Sequence, residues 1–143
     1  MFIAISVAVL LVLASVALHY EALRVTSGII PRLVFHPQRR ILLILLATLL
    51  VHVLSISLFA VSYYVLSEYF GLGSLRGDSN IEPIDYFYFS ATTYTTLGIG
   101  DVAAQGPMRI IAAMESLAGL VLISWSATFT YMHMERFWTL HEK

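Results

Sequence analysis

Thr92-Thr93-Tyr94-Thr95-Thr96-Leu97-Gly98-Ile99-Gly100-Asp101 is the stretch on which the reading of this chain turns. A run rich in threonine gives way to Gly-x-Gly-Asp, with a long apolar segment on either side. Glycine accepts both signs of φ, so glycine at every second position lets a backbone alternate between them. An alternating backbone can turn successive carbonyl oxygens to one side. A row of carbonyls facing one axis can replace the water shell of a cation. Gly-x-Gly alone occurs in many tight turns, so the flanking sequence has to decide.

Composition places those flanks. Of 143 residues, 59% are hydrophobic and 12% charged, and the mean hydropathy is +0.82. Soluble domains carry about 25% charged residues, so this chain belongs in a membrane, and its length suits one domain. The net charge of −1 names no partner, and no Lys/Arg run supports nucleic-acid binding. With no cysteine, disulfides, thiolate metal sites and cysteine nucleophiles are excluded.

Immediately upstream, Pro83 to Thr95 reads as a helix, with Pro83 in its first turn and Asp85 near the positive end of its dipole. At about 1.5 Å per residue it reaches roughly 20 Å, too short to span a bilayer. It must re-enter, and the Gly98–Gly100 loop after it survives at membrane depth only if protein or a wet cavity surrounds it. Downstream, Pro107 to Met132 is a spanning segment. Arg109 lies at its outer end, Glu115 is deeper, Gly119 is near the middle, and Ser124, Ser126, Thr128 and Thr130 enrich its inner half in hydroxyls. Arg136, Phe137, Trp138 and Lys143 close it at the inner interface.

Further upstream, Ile41 to Leu66 is long enough to cross with some tilt. His52 within it is either a proton-linked group or, more simply, a hydrogen-bonding group facing a neighbouring helix. Tyr63, Tyr64, Tyr69 and Phe70 form an interfacial aromatic cluster. Ser67 to Glu82 reads as a loop with Gly71, Gly73, Gly77 and the turn-forming Asp78-Ser79-Asn80, and its acids outnumber its bases. Met1 to Leu18 is just long enough to span. Ser15-Val16-Ala17 could serve as a signal cleavage site, but no basic region precedes it. Glu21 to Arg40 is the most polar connection, with Arg24, Arg32, Arg39, Arg40 and the helix breakers Pro31 and Pro37.

Charge orients these segments. With Arg24, Arg32, Arg39 and Arg40 inside, the second segment runs outward, the glycine loop opens outside, and the third segment returns inward. Arg136 and Lys143 then join them, leaving six of the eight basic residues on the cytoplasmic side, as the positive-inside rule asks. The amino terminus lies outside. A cleaved signal peptide would reverse this, so the first segment is retained as a helix. The expected localisation is a multi-pass protein of the plasma or inner membrane.

Helix, acidic loop, half-helix, Thr-Leu-Gly-Ile-Gly-Asp and helix, in that order, resemble the pore module of the tetrameric potassium-channel superfamily, whose usual filter reads Thr-Val-Gly-Tyr-Gly-Asp. The resemblance covers about residues 41–132. It implies an all-α membrane protein: three transmembrane helices plus a re-entrant pore helix and filter loop, assembled as a four-fold homotetramer. Residues 1–40 would form an N-terminal helix and basic loop, and 41–143 the pore domain (outer helix 41–66, pore helix 83–95, filter 96–101, inner helix 107–132). It further implies passive K⁺ conduction, with ions held by Thr96, Leu97, Gly98 and Ile99, and Gly100 forming the outer turn of the filter. No cofactor beyond K⁺ and no catalysis are expected. Thr95 would end the half-helix, Asp101 would sit behind the mouth, and Tyr88 and Phe89 fall where the family places aromatic braces. Gly119 falls at the family's gating hinge, or is simply a small residue that permits close packing. Ile123, Ala127 and Tyr131 are candidates for the inner pore lining.

Two departures stand out. Ile99 replaces an aromatic that braces the filter, and it can pack but not hydrogen-bond. Thr92 stands where some members carry a carboxylate. Glu115, one turn before Gly119, is expected either to steady the threonine-rich end of the half-helix or to pair elsewhere. No segment carries arginine at every third position, so no voltage sensor is expected, and little chain follows the last span. Gating is left to the pore, lipid, pH or an unidentified regulatory subunit. The rival readings are a non-selective cation channel, a non-conducting membrane scaffold, and a membrane enzyme. The last lacks any recognisable triad or metal-ligand spacing.

Overall fold

The computed structural model describes residues 1–30, 36–77 and 80–138, with the backbone alone for residues 37, 38 and 136–138. Pro31, Arg32, Asp78, Ser79 and Lys143 lie outside the described residues, as do the side chains of Pro37, Arg136, Phe137 and Trp138.

Among the described residues, four helices and two short strands follow one another as α1 (Phe2–Ile29), α2 (Pro37–Glu68), β1 (Ser74–Gly77), α3 (Pro83–Tyr94), β2 (Val102–Gln105) and α4 (Met108–Trp138). Within α1, α2 and α4, apolar stretches of 28, 30 and 28 residues exceed the roughly 20 needed to cross a bilayer. α3 has 12 residues and cannot. It starts sharply because Glu82 and Asp85 close a capping box: the Glu82 N–H donates to Asp85 Oδ2 at 2.7 Å, and Pro83 needs no N–H partner there.

Each long helix buries one stripe. On α2 the buried positions include Ile44, Thr48, Val51, Ser55, Phe59, Tyr63 and Leu66, spaced three or four apart, with Ile56 and Ala60 widening the stripe; on α4 they include Ile111, Glu115, Ala118, Leu122 and Ser126. α1 packs against both α2 and α4, and its buried side is built mainly of small residues, Ala4, Ala8 and Ser15, which allow close approach. The outward face of all three helices stays apolar and exposed, with Leu10, Leu13, Leu42, Leu46, Leu49, Leu50 and Leu117 among its residues. Hydrocarbon suits that surface and water does not. Toward the outer side, Phe59, Tyr63, Leu75, Tyr86, Phe89, Met108 and Ile111 join α2, β1, α3 and α4 in one cluster, and deeper in, Ile56, Tyr94 and Leu122 form a second.

Two expectations need correcting. The segment from Glu21 to Arg40 is not one irregular connection: α1 continues to Ile29 and α2 begins at Pro37. Arg24 sits on the α1 extension, where its guanidinium pairs with Glu21 at 2.6 Å, so the helix accommodates the polar residues by local pairing. The acidic loop is likewise not wholly irregular. β1 pairs antiparallel with β2, from Ser74 opposite Gln105 to Gly77 opposite Val102. The ribbon ties the loop to the chain leaving the glycine turn. Gly73 permits this join: its φ is 112°, and a Cβ there would stand 2.5 Å from the Gln105 carbonyl oxygen.

Candidate functional site: the turn after the half-helix

Beyond the last turn of α3 the backbone alternates. Thr96, Gly98 and Gly100 have φ of 59°, 53° and 90°, while Leu97 and Ile99 between them stay in the ordinary region. Glycine makes two of these turns without strain. Thr96 is the only non-glycine residue with positive φ among the described residues. A left-handed conformation costs an L-residue about 1–2 kcal/mol, and strain of this kind persists only where its surroundings impose it. Here the Thr96 N–H donates to the Thr93 carbonyl at 3.0 Å and the Gly98 N–H to the Thr92 carbonyl at 3.1 Å. The Leu97 carbonyl shares a trans peptide with the Gly98 N–H, so it points the opposite way, away from α3.

The front of this turn is bare. Leu97 and Ile99 are 66% and 58% exposed, and a Cβ added at Gly98 or Gly100 would meet nothing within 4 Å. Behind it lies an open hollow of about 300 Å³ lined by Phe89, Thr92, Gly98, Gly100, Arg109 and Ser116.

The rear of α3 is bonded. Glu115 is fully buried on α4; Tyr63 of α2 donates to its Oε2 at 2.5 Å, and Ser90 of α3 donates to its Oε1 at 2.5 Å. Ser90 Oγ also lies 2.9 Å from the Ile56 carbonyl. One carboxylate therefore joins three helices. Of the two alternatives expected for Glu115, its partners Tyr63 and Ser90 fit pairing elsewhere rather than at the threonine-rich end of the half-helix, since Ser90 lies about one turn earlier. Lower down, Ser116 donates to the Thr93 carbonyl at 3.0 Å. A Cβ at Gly119 would fall onto the backbone carbonyl of Tyr94, so α4 and the end of α3 touch main chain to main chain there.

The other expected site residues are placed as follows. Tyr88 donates to Asp101 Oδ2 at 2.9 Å, while Asp101 Oδ1 accepts the Val102 N–H at 3.0 Å, so the outer end of the turn is tied back to α3. That hydrogen bond to a carboxylate holds the Tyr88 phenol above its usual pKa. Thr92 and Thr95 turn their hydroxyls to Phe89 and Ala91 carbonyls of their own helix, at 3.0 and 2.7 Å. Phe89 is buried edge-on against Tyr63, with centroids 5.2 Å apart. Ile123, Ala127 and Tyr131 lie exposed on successive turns of α4. Sequence reasoning missed Tyr63 and Ser90. Tyr63 by its position suits an interfacial belt, and a lone serine in a half-helix gives no signal of its partner.

A membrane-embedded bundle with a re-entrant half-helix and an alternating turn defines a class of multi-pass membrane protein. Residues 43–136 match a protein family described as an ion channel. The chain belongs to that ion channel family, and the match takes in most of α2, the half-helix, the turn and nearly all of α4. No curated protein and no solved structure matches it.

Proposed function

We propose that the chain is the subunit of a potassium-selective pore, conducting passively and without catalysis. The alternation of φ at Thr96, Gly98 and Gly100 carries this reading. It is the backbone geometry that turns Thr96, Leu97, Gly98 and Ile99 carbonyls toward one axis, where K⁺ exchanges water for protein oxygen. The Thr96 hydroxyl adds an oxygen at the inner end. α3 directs the negative end of its dipole toward the space below, which favours a cation there.

One such turn surrounds nothing. Its exposed Leu97 and Ile99, and the open hollow behind it, are the surfaces a neighbouring copy would cover, and four copies about a four-fold axis give each ion a ring of identical oxygens. Arg24, Arg39 and Arg40 orient the helices with the turn opening outside, the amino terminus outside and the end of α4 in the cytoplasm. Ile123, Ala127 and Tyr131 then line the inner pore. Gly119 acts in this reading as the close-packing point between inner helix and pore helix.

The test is cation flux into liposomes holding the purified protein, with K⁺ or Na⁺ gradients and Ba²⁺ as blocker. K⁺ flux well above Na⁺ flux and stopped by Ba²⁺ is the expected result. Equal fluxes would mean that Ile99 leaves the filter too loose to discriminate. Absence of flux together with a monomer on cross-linking would overturn the reading.

A further inference from the structure

The inner half of the bundle holds a second polar assembly that the filter does not use. The Tyr94 hydroxyl lies 3.0 Å from His52 Nδ1; His52 Nε2 lies 3.0 Å from Ser126 Oγ; the same Oγ lies 3.0 Å from His19 Nε2. These links run through α3, α2, α4 and α1 in turn, so they join all four helices. His19, Ser126 and Tyr94 are buried, and the two imidazoles are 5.0 Å apart between centroids. At one end of the relay His19 Nδ1 is buried with no partner, and at the other the buried hydroxyl of Ser55 interacts with Tyr94.

Counting hydrogens limits what this chain can do. Ser126 has one hydroxyl hydrogen for two imidazole nitrogens, so it donates to one and accepts from the other. With both histidines neutral, two patterns fit: Tyr94 donates to His52 Nδ1, His52 Nε2–H to Ser126 and Ser126 to His19 Nε2, or every donor and acceptor is exchanged and His52 Nδ1–H donates to Tyr94. Now add one proton to the pair. If it resides on His52, both ring nitrogens of His52 carry hydrogen. If it resides on His19, His19 Nε2–H donates to Ser126, Ser126 donates to His52 Nε2, and the hydrogen of neutral His52 sits on Nδ1. In both cases His52 Nδ1–H faces Tyr94, so Tyr94 is confined to accepting and its own hydrogen turns away, toward Ser55.

We propose that this chain is a proton-operated coupling between α1 and the base of the filter. Uptake of one proton by the His19–His52 pair removes the pattern in which Tyr94 donates and fixes Tyr94 as the acceptor. Tyr94 is the last residue of α3, its carbonyl is pressed against Gly119, and Thr96 follows two residues on. That restriction is thus delivered where the pore helix, the inner helix and the filter meet. The titratable groups facing the pair are Tyr94 from α3 and, acting on Tyr94, Glu115 from α4, itself held by Tyr63 and Ser90. The effect on conduction rests on the reading of residues 96–100 as a filter; the proton chemistry does not.

The test uses full-length protein, ¹⁵N-labelled at histidine and ¹³C-labelled at the tyrosine ring, in phosphatidylcholine vesicles. Imidazole ¹⁵N and tyrosine Cζ signals are followed from about pH 8 down to about pH 3, a range that extends below the one in which an ordinary histidine changes charge, alongside K⁺ flux. The expected result is one proton taken up by the pair, with a concurrent shift of the Tyr94 Cζ signal. Tyr94→Phe and Ser126→Ala should each move the histidine midpoint by about one pH unit through the lost hydrogen bond, and Ser126→Thr should restore it. Wild-type flux should change across that midpoint, and Tyr94→Phe should remove the change. A histidine midpoint unmoved by Tyr94→Phe, or a Tyr94 signal indifferent to histidine charge, overturns the coupling. Coupled NMR signals with pH-independent K⁺ flux overturn its link to the filter. Coupled signals with no flux in any variant support the proton relay and count against the channel reading instead.

Discussion

The two sides of α3 are built on opposite terms. In front, residues 96–100 carry a strained threonine, two glycines in open space and two exposed aliphatic side chains. Behind, Glu115, Tyr63, Ser90 and Phe89 are buried, and each polar one among them is bonded within the same chain. The rear is complete in one copy and the front is not. A turn with alternating φ gains little from its own side chains, so its shape is imposed by what stands behind it and, in the proposed tetramer, by what stands beside it.

Breaking the rear should therefore damage the front. The largest effect is expected from Gly119→Val, whose Cβ would meet a main-chain carbonyl that cannot rotate away. The end of α3 must shift, at about 3 kcal/mol per chain, and K⁺ selectivity should collapse with it in paired K⁺ and Na⁺ flux. Next comes Glu115→Leu. It leaves the buried Tyr63 hydroxyl without an acceptor, at about 2 kcal/mol, and should lower the thermal stability of the assembly in detergent. Glu115→Gln, which can accept from Tyr63 and donate to Ser90, should stay near wild type. If Gln proves as damaging as Leu, charge rather than hydrogen bonding holds the rear together.

Changes at the front should separate stability from selectivity. Gly98→Ala meets no neighbour but must hold a φ of 53°, at about 1–2 kcal/mol. Its melting point should fall modestly while its K⁺ over Na⁺ preference is lost. The smallest effect belongs to Tyr88→Phe, which removes the tie to Asp101 and should loosen selectivity without unfolding the chain. Because the Tyr88 phenol titrates above its ordinary value in the folded protein, its contribution is fully present below about pH 10 and lost only above it. Selectivity should accordingly hold from neutral to mildly alkaline pH, and an early alkaline loss that Tyr88→Phe does not reproduce would place the sensitive group elsewhere.

Much of this was legible before any coordinates. Hydrophobic length marked the three spanning helices, and Pro83 with Asp85 marked the start of a helix too short to cross. Gly98 and Gly100 marked where φ could turn positive. The positive φ of Thr96 is not legible in the sequence, because a β-branched residue disfavours it and the hydrogen bonds of the turn to the Thr93 and Thr92 carbonyls hold it there. The strands were hidden for a similar reason. Ser74–Gly77 and Val102–Gln105 are short and lack alternating hydrophobicity, so pairing across the intervening half-helix makes them strands. Glu115 was visible as costly, but its partners sit 52 and 25 residues away in the chain.

Sequence by itself determined the membrane class, the order of helices and the place of the turn, because those follow from local length, hydropathy and glycine chemistry. Tertiary structure alone decided which polar groups meet: Glu115 with Tyr63 and Ser90, and His19 with Ser126, His52 and Tyr94. Each of those side chains tolerates burial only beside its partner, and the packing of separate helices chooses the partner.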